Sequence, residues 1–221
     1  MNAFLKISIL IIISAVIVFG LILPIPNIPA LGDKARVLYF HVPMSWISVI
    51  AFFMSMWYSI RYLKTQEIDY DIKSFSSAQL GFLFCILATA TGSLWAKFNW
   101  GSFWNWDPRQ TSIFILLLIY GAYFALRSAI DSPEQRAKLS SVYSIIAAVT
   151  VPFFVFIMPR IVDSLHPDPI INSQGKINMD TGMLIVFLTS LVGFTLLFLW
   201  CLNLKVRTER LSLYNNGGIQ D

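Results

Sequence analysis

Charge is what this chain has least of. Only 13% of its 221 residues are Asp, Glu, Lys or Arg, while 57% are hydrophobic, and the mean hydropathy is +0.68. A soluble domain is about a quarter charged, so the main solvent for this chain is lipid. Cysteine is nearly absent too. Cys85 and Cys201 sit in separate apolar runs with no C-x-x-C and no C-x-x-C-H, which excludes dithiol chemistry and thioether attachment of a cofactor. No G-x-x-x-x-G-K-[ST] occurs, so the chain lacks a phosphate loop and drives no ATP-dependent work by itself. No acidic residue falls well inside an apolar run, whereas ion-coupled pumps keep such groups there. No side-chain pair is spaced for acid–base or nucleophilic catalysis, so binding is expected in place of an enzyme reaction. Histidine occurs only twice, at His41 and His166.

What the chain does have is six apolar runs, at about 4–24, 43–63, 77–95, 108–127, 140–158 and 181–202. Each is long enough, or nearly so, for the roughly 20 residues of a spanning helix. The expected fold is all-α: one integral membrane bundle of six transmembrane helices over residues 1–221, with a tryptophan-rich outer loop. The first run exceeds the apolar core of a signal peptide and has no convincing cleavage site, so it reads as a retained helix. The pI near 9.1 does not point to nucleic acid, because the basic residues are spread over the loops and bear on topology. With both termini cytoplasmic, ten of the sixteen Lys and Arg fall inside and six outside (Lys34, Arg36, Lys97, Arg109, Arg160, Lys176), which satisfies the positive-inside rule. The outer loops are then 25–42 with His41, 96–107 with the tryptophans, and 159–180 with His166.

Four of the seven tryptophans, Trp95, Trp100, Trp104 and Trp106, lie within twelve residues. Bilayer anchoring explains scattered interfacial indoles; this density makes a platform for a flat, mostly apolar ligand. A short interfacial helix would put Trp100, Phe103 and Trp104 largely on one side. Asp107-Pro108 reads as a helix start, an N-cap carboxylate followed by a proline with no N–H to leave unpaired. His41-Val42-Pro43 likewise places His41 at the entrance of the second helix. Alone, either histidine is an ordinary capping or solvated residue. Two imidazoles, an aromatic wall and several cations (Arg36, Lys97, Arg109, Arg160) on one face together suit a planar metal macrocycle with carboxylate tails. Met44, Met158, Met179 and Met183 also lie near that face, although core filling is the usual role of methionine.

Trp100-Gly101-Ser102-Phe103-Trp104-Asn105-Trp106-Asp107 resembles the W-G-x-x-W-x-W-D signature of the haem-handling proteins of cytochrome c biogenesis. A six-helix chain of this length, with one histidine before the loop and one after it, is similar to haem exporter protein C, the CcmC family; the larger CcmF and CcsA proteins have more helices and more histidines. The resemblance implies a membrane protein that holds haem b transiently at the periplasmic face of the bacterial inner membrane. It implies delivery to a CcmE-like periplasmic haem chaperone, and association with CcmA/CcmB-like ABC transporter subunits and a CcmD-like small subunit. It further implies that Trp100, Gly101, Phe103, Trp104, Trp106 and Asp107 form the haem surface, with His41 and His166 as axial ligands. Arg109 or Arg36 is the expected propionate partner. Phe103 stands where the family commonly has Trp or Tyr, and Pro167 directly follows His166. The alternative expectation is a permease subunit for haem or another lipophilic solute, which would need polar groups or broken helices at mid-membrane depth.

Overall fold

A computed structural model describes residues 2–26, 31–166 and 179–215. Six helices are long and apolar enough to cross a membrane. They are α1 (Ala3–Ile22), α2 (Leu38–Thr65, entered through a 3-10 turn over Gly32–Val37), α3 (Ile68–Trp100) and α4 (Pro108–Ser128). The bundle is completed by α5 (Pro133–Ile161) and α6 (Thr181–Asn215). No strand is present among the described residues. The all-helical bundle read from the sequence is what the chain forms.

Local chemistry sets several of these ends. The Asn2 side chain accepts from the Leu5 amide and Ser132 accepts from that of Gln135, with proline at the first position of α5. Gly101 closes α3 in the left-handed conformation (φ 80°), its amide bonded to the Lys97 carbonyl; only glycine takes that backbone without strain.

Four helices exceed the apolar runs that announced them. At 1.5 Å per residue the 33 residues of α3 extend about 50 Å, well beyond a hydrocarbon core of about 30 Å. The polar turns at its ends are therefore helical, although hydropathy alone does not register them. One expectation changes. Trp95–Trp100 belong to a helix, so the connection to α4 is only residues 101–107. Asp69 and Asp71, outside the apolar run, lie in the first turn of the lengthened α3. Asp71 is 4% exposed and forms a two-pronged pair with Arg127 of α4 at 2.8 and 2.6 Å. Arg127 also stacks on Phe75 at 4.3 Å. Beside this pair, Arg210 of α6 reaches Asp69 at 2.7 Å, so one end of the bundle is tied by ion pairs.

The helices pack through small polar residues, as membrane bundles do where no hydrophobic drive separates helix from lipid. α2 and α3 form the most extensive pair. Buried Ser55 and Ser59 of α2 bond Ser74 of α3 at 3.1 and 2.8 Å, and Ser55 bonds Ser144 of α5 at 2.9 Å. α1 packs against α6, with Ile9 and Val16 buried. Near its second end α5 widens into a π-helical segment, Phe153–Ile157, just after Pro152. Single π turns inside α-helices recur at functional sites.

Arg127→Met should lower stability by about 3 kcal/mol, because it strands the Asp71 carboxylate in a buried position. Thermal unfolding in detergent measures the loss, and the paired change Asp71→Asn with Arg127→Met should recover much of it.

Candidate functional site

The site lies at the end of the bundle opposite the Asp71–Arg127 pair, and α2 supplies its first imidazole. The sequence reading put Pro43 in the opening turn of this helix. In the structure the helix starts at Leu38, so Pro43 is internal. Proline there removes the amide that would bond the Tyr39 carbonyl. That carbonyl instead accepts from the Ser190 hydroxyl of α6, so the defect is satisfied by a neighbouring helix. His41, on the same turn, points toward α3. Its Nδ1 lies 3.1 Å from Thr91 Oγ1, and the adjacent Gly92 leaves its ring room. A Cβ on Gly92 would stand 2.7 Å from His41 Cε1.

The second imidazole arrives from the segment after α5. Asp107 is 4% exposed and binds two elements at once. Its carboxylate accepts from the Arg109 amide at 2.9 Å, capping α4. It also accepts from Ser164 Oγ at 2.9 Å and the Leu165 amide at 2.8 Å. The His166 amide donates to Ser164 Oγ at 3.1 Å. One carboxylate thereby fixes the turn that carries His166. Asp107-Pro108 starts α4 as the sequence indicated, with this second task added.

These connections bring the two histidine rings to 6.4 Å between centroids, tilted by 45°. Trp95 and Trp100 flank His166 at 5.3 and 5.6 Å and meet each other edge-on at 5.1 Å. Burial, reinforced by the positive charge of Arg109, pushes the His166 imidazole down to about 4, so it is neutral at pH 7 with its lone pair available. Its Nδ1 is buried without a hydrogen-bond partner among the described residues.

Both rings line a cavity of about 670 Å³ whose wall includes Trp95, Trp100 and Trp104, the π-helical Phe154 and Phe156, and Arg109 and Arg160. Ligand sites of about 300–1,000 Å³ are usual for small molecules and cofactors. Met179 and Met183 also line it, Met183 as part of a buried cluster with Val186 and Phe187.

Other expected residues stand apart. Gly101, Phe103, Trp106 and Asp107 are not in the cavity wall. Phe103 and Trp106 are 55% and 70% exposed. Residues 101–107 form bends and irregular chain, which corrects the expected interfacial helix. The Gln110 side chain secures this stretch, accepting from the Asn105 amide at 2.8 Å and donating to the Phe103 carbonyl at 3.2 Å. Arg36 is engaged elsewhere, donating to the Gly20 and Leu23 carbonyls at 2.9 and 2.8 Å and thus capping α1. Lys97 bonds the Gly101 carbonyl at 3.0 Å. Arg109 and Arg160 are the cations of that group that reach the cavity wall.

Thr91, Gly92, Gln110 and Ser164 are the residues that sequence reasoning passed over, and Trp95 was counted in the aromatic cluster without being assigned to the ligand surface. Thr91 and Gly92 resemble ordinary helix-packing residues until the ring beside them is known. The i, i+5 spacing of Trp95 and Trp100, both within α3, was the one available signal.

Such an arrangement can grip a flat apolar ligand edge-in, with nitrogen donors at its centre and cations at its rim. An imidazole nitrogen lies about 1 Å from its ring centre and about 2 Å from a metal it ligates, so two rings on opposite sides of one metal have centres about 6 Å apart. The observed spacing fits a single metal held between His41 and His166. No group of three or more His, Cys, Asp or Glu placed to hold a metal ion occurs among the described residues.

Fold and cavity together define a multi-pass membrane protein with a ligand site at one end of a six-helix bundle. The chain belongs to the heme exporter protein C family, whose model matches residues 1–216. It is 32% identical to "Heme exporter protein C" of Bradyrhizobium diazoefficiens over 167 residues, 76% of this chain and 63% of that relative. The match therefore spans less than two thirds of that protein's length. It is 28% identical to "Heme exporter protein C" of Rhodobacter capsulatus over 178 residues, 80% of this chain and 74% of the relative. A shorter similarity, 37% over 86 residues, 38% of this chain and 28% of the relative, links it to "Cytochrome c biogenesis protein CcsA" of Cuscuta reflexa.

Two outcomes are expected in the ligand-free protein. Asp107→Ala should cost about 2 kcal/mol, from the lost helix cap and the freed turn, and amide exchange at Leu165 should accelerate even under conditions where the fold persists. The pH dependence follows from the lowered His166. Between pH 6.5 and 4 the unfolded chain takes up a proton there that the folded one does not, so its contribution is complete above 6.5 and fades as pH falls toward 4. Allowing for partial exposure, about 2 kcal/mol should disappear across that window, and unfolding of His166→Gln should be correspondingly less pH-sensitive.

Proposed function

We propose that this protein holds haem b transiently in the cavity and passes it to a periplasmic acceptor during cytochrome c maturation. The observation that carries the reading is the pair of imidazoles 6.4 Å apart against an indole wall. His41 and His166 are the axial ligands in this reading. Trp100 and Trp104, joined by Trp95, hold the macrocycle's apolar faces and edges. Arg109 and Arg160, which line the cavity, meet the propionates, and Arg36, outside its wall, does not. Asp107 and Gly101 act indirectly, by fixing the His166 turn and closing α3. Phe103 and Trp106, exposed beside the mouth of the site, face the acceptor.

Haem here is cargo, and its iron supplies the coordination bonds that make the grip specific. The protein's part is to orient the macrocycle, exclude water from its faces and release it again. Membership of the family supports a place in a Ccm system, with a CcmE-like chaperone as acceptor and CcmA/CcmB-like and CcmD-like subunits as neighbours. The excess of Lys and Arg in the loops at the Arg127 end supports a cytoplasmic location for that end and for both termini. The cavity then opens at the periplasmic face of the bacterial inner membrane. The π-helical break of α5 lies in the cavity wall near the helix end, which favours a binding site over a permease path at mid-depth.

His41→Ala and His166→Ala should each change the absorption spectrum of purified protein loaded with haem, shifting the iron from six-coordinate low spin toward high spin. Circular dichroism should stay helical in both. Spectra unchanged in both variants would exclude these residues as ligands.

A further inference from the structure

Resting on the ligand reading above, we infer that Thr91 and Gly92 are positioning residues that hold His41 as the Nδ1–H tautomer, leaving its Nε2 lone pair for iron. Three observations on α3 converge. Thr91 has a single hydroxyl proton, and two carbonyls, Leu87 at 2.8 Å and Ala88 at 3.1 Å, compete for it. Carbonyls only accept, so the proton is engaged along the helix, and the oxygen turned to His41 offers a lone pair. The imidazole nitrogen 3.1 Å away, Nδ1, is then the one that carries hydrogen. A neutral imidazole has one such nitrogen, so Nε2 is bare.

Gly92 supplies the space. Its hypothetical Cβ meets Cε1 at 2.7 Å and Nδ1 at 3.3 Å, so the ring occupies space on the helix that only glycine leaves open. Even alanine would push the ring off Thr91. The tautomer is set by one neighbour and the ring position by the next, both on a helix that also carries Trp95 and Trp100. Ligand orientation is thereby coupled to the aromatic wall through one rigid element. Partners of this kind fix the tautomer and basicity of metal-binding histidines, and their loss commonly weakens metal affinity 10- to 100-fold.

The chain's two histidines make a direct test practical. In full-length, haem-free protein labelled with ¹⁵N-histidine, His166→Gln identifies the His41 resonances, whose shifts distinguish Nδ1–H from Nε2–H. The native protein should show the Nδ1–H form. Thr91→Val should show a tautomer mixture or the Nε2–H form, and Thr91→Ser should restore the native pattern. With hemin as probe, Thr91→Val should bind about 10-fold more weakly with altered low-spin resonance values, while Thr91→Ser stays within about two-fold. Gly92→Ala should lose hemin affinity even where its unfolding temperature is unchanged. An Nε2–H tautomer in the native protein, or Thr91→Val with native ¹⁵N shifts and native hemin affinity, overturns the inference. If His41→Ala leaves the hemin spectrum unaltered, the ligand reading fails by itself, and the haem-free resonances still decide the tautomer.

Discussion

The carboxylate of Asp107 is the constraint on which the site depends. Its oxygens serve the start of α4 and the turn at residues 164–166 together. Without that junction, His166 has only the short non-helical stretch 162–165 after α5 to place it. With it, the imidazole is anchored to the same point from which α4 departs. Helix α4 is rigid, and so is the glycine-closed end of α3 on the other side of the 101–107 connection. A single buried acceptor thus converts two loops into extensions of helices. This explains how a site drawn from α2, α3 and the turn after α5, far apart in sequence, acquires a definite geometry.

Most of this architecture was legible in the residue order, for identifiable reasons. Six runs of apolar residues announce six helices because lipid leaves the backbone no other way to satisfy itself. Asp107-Pro108 announces a helix start because both residues have strong local preferences there. The ends of the long helices were not legible. Helix propensity persists into the polar turns around Asp71 and Trp100, while hydropathy, the louder signal, does not. The internal Pro43 was misplaced for a related reason. Proline marks a first turn unless another residue serves the freed carbonyl, and that residue, Ser190, is 147 positions away. Arg36 and Arg160 were indistinguishable as outer-loop cations. The difference between them comes from the end of α1, whose open carbonyls draw Arg36 away.

The bundle divides its polar groups between its two ends. At one, Asp71, Arg127, Asp69 and Arg210 pair among themselves, and the serines of α2, α3 and α5 nearby bond one another. Many polar groups there are paired within the bundle, although Ser76, Ser140 and Ser141 keep buried hydroxyls without a partner among the described residues. At the other, His166 Nδ1 is buried without a partner among the described residues, and the cavity is lined by aromatic rings. Residues that could satisfy one another are instead kept facing a shared void.

The bond from Ser190 to the Tyr39 carbonyl reaches beyond repair of a helix defect. It makes the registry of α6 against α2 discrete, because a slide by one turn would leave that oxygen bare in hydrocarbon. Since His41 follows Tyr39 by two residues, the depth at which its imidazole sits below the membrane surface is pinned by the last helix of the chain. Any neighbouring subunit that grasps α6 along its length therefore holds a lever on the height of that ring.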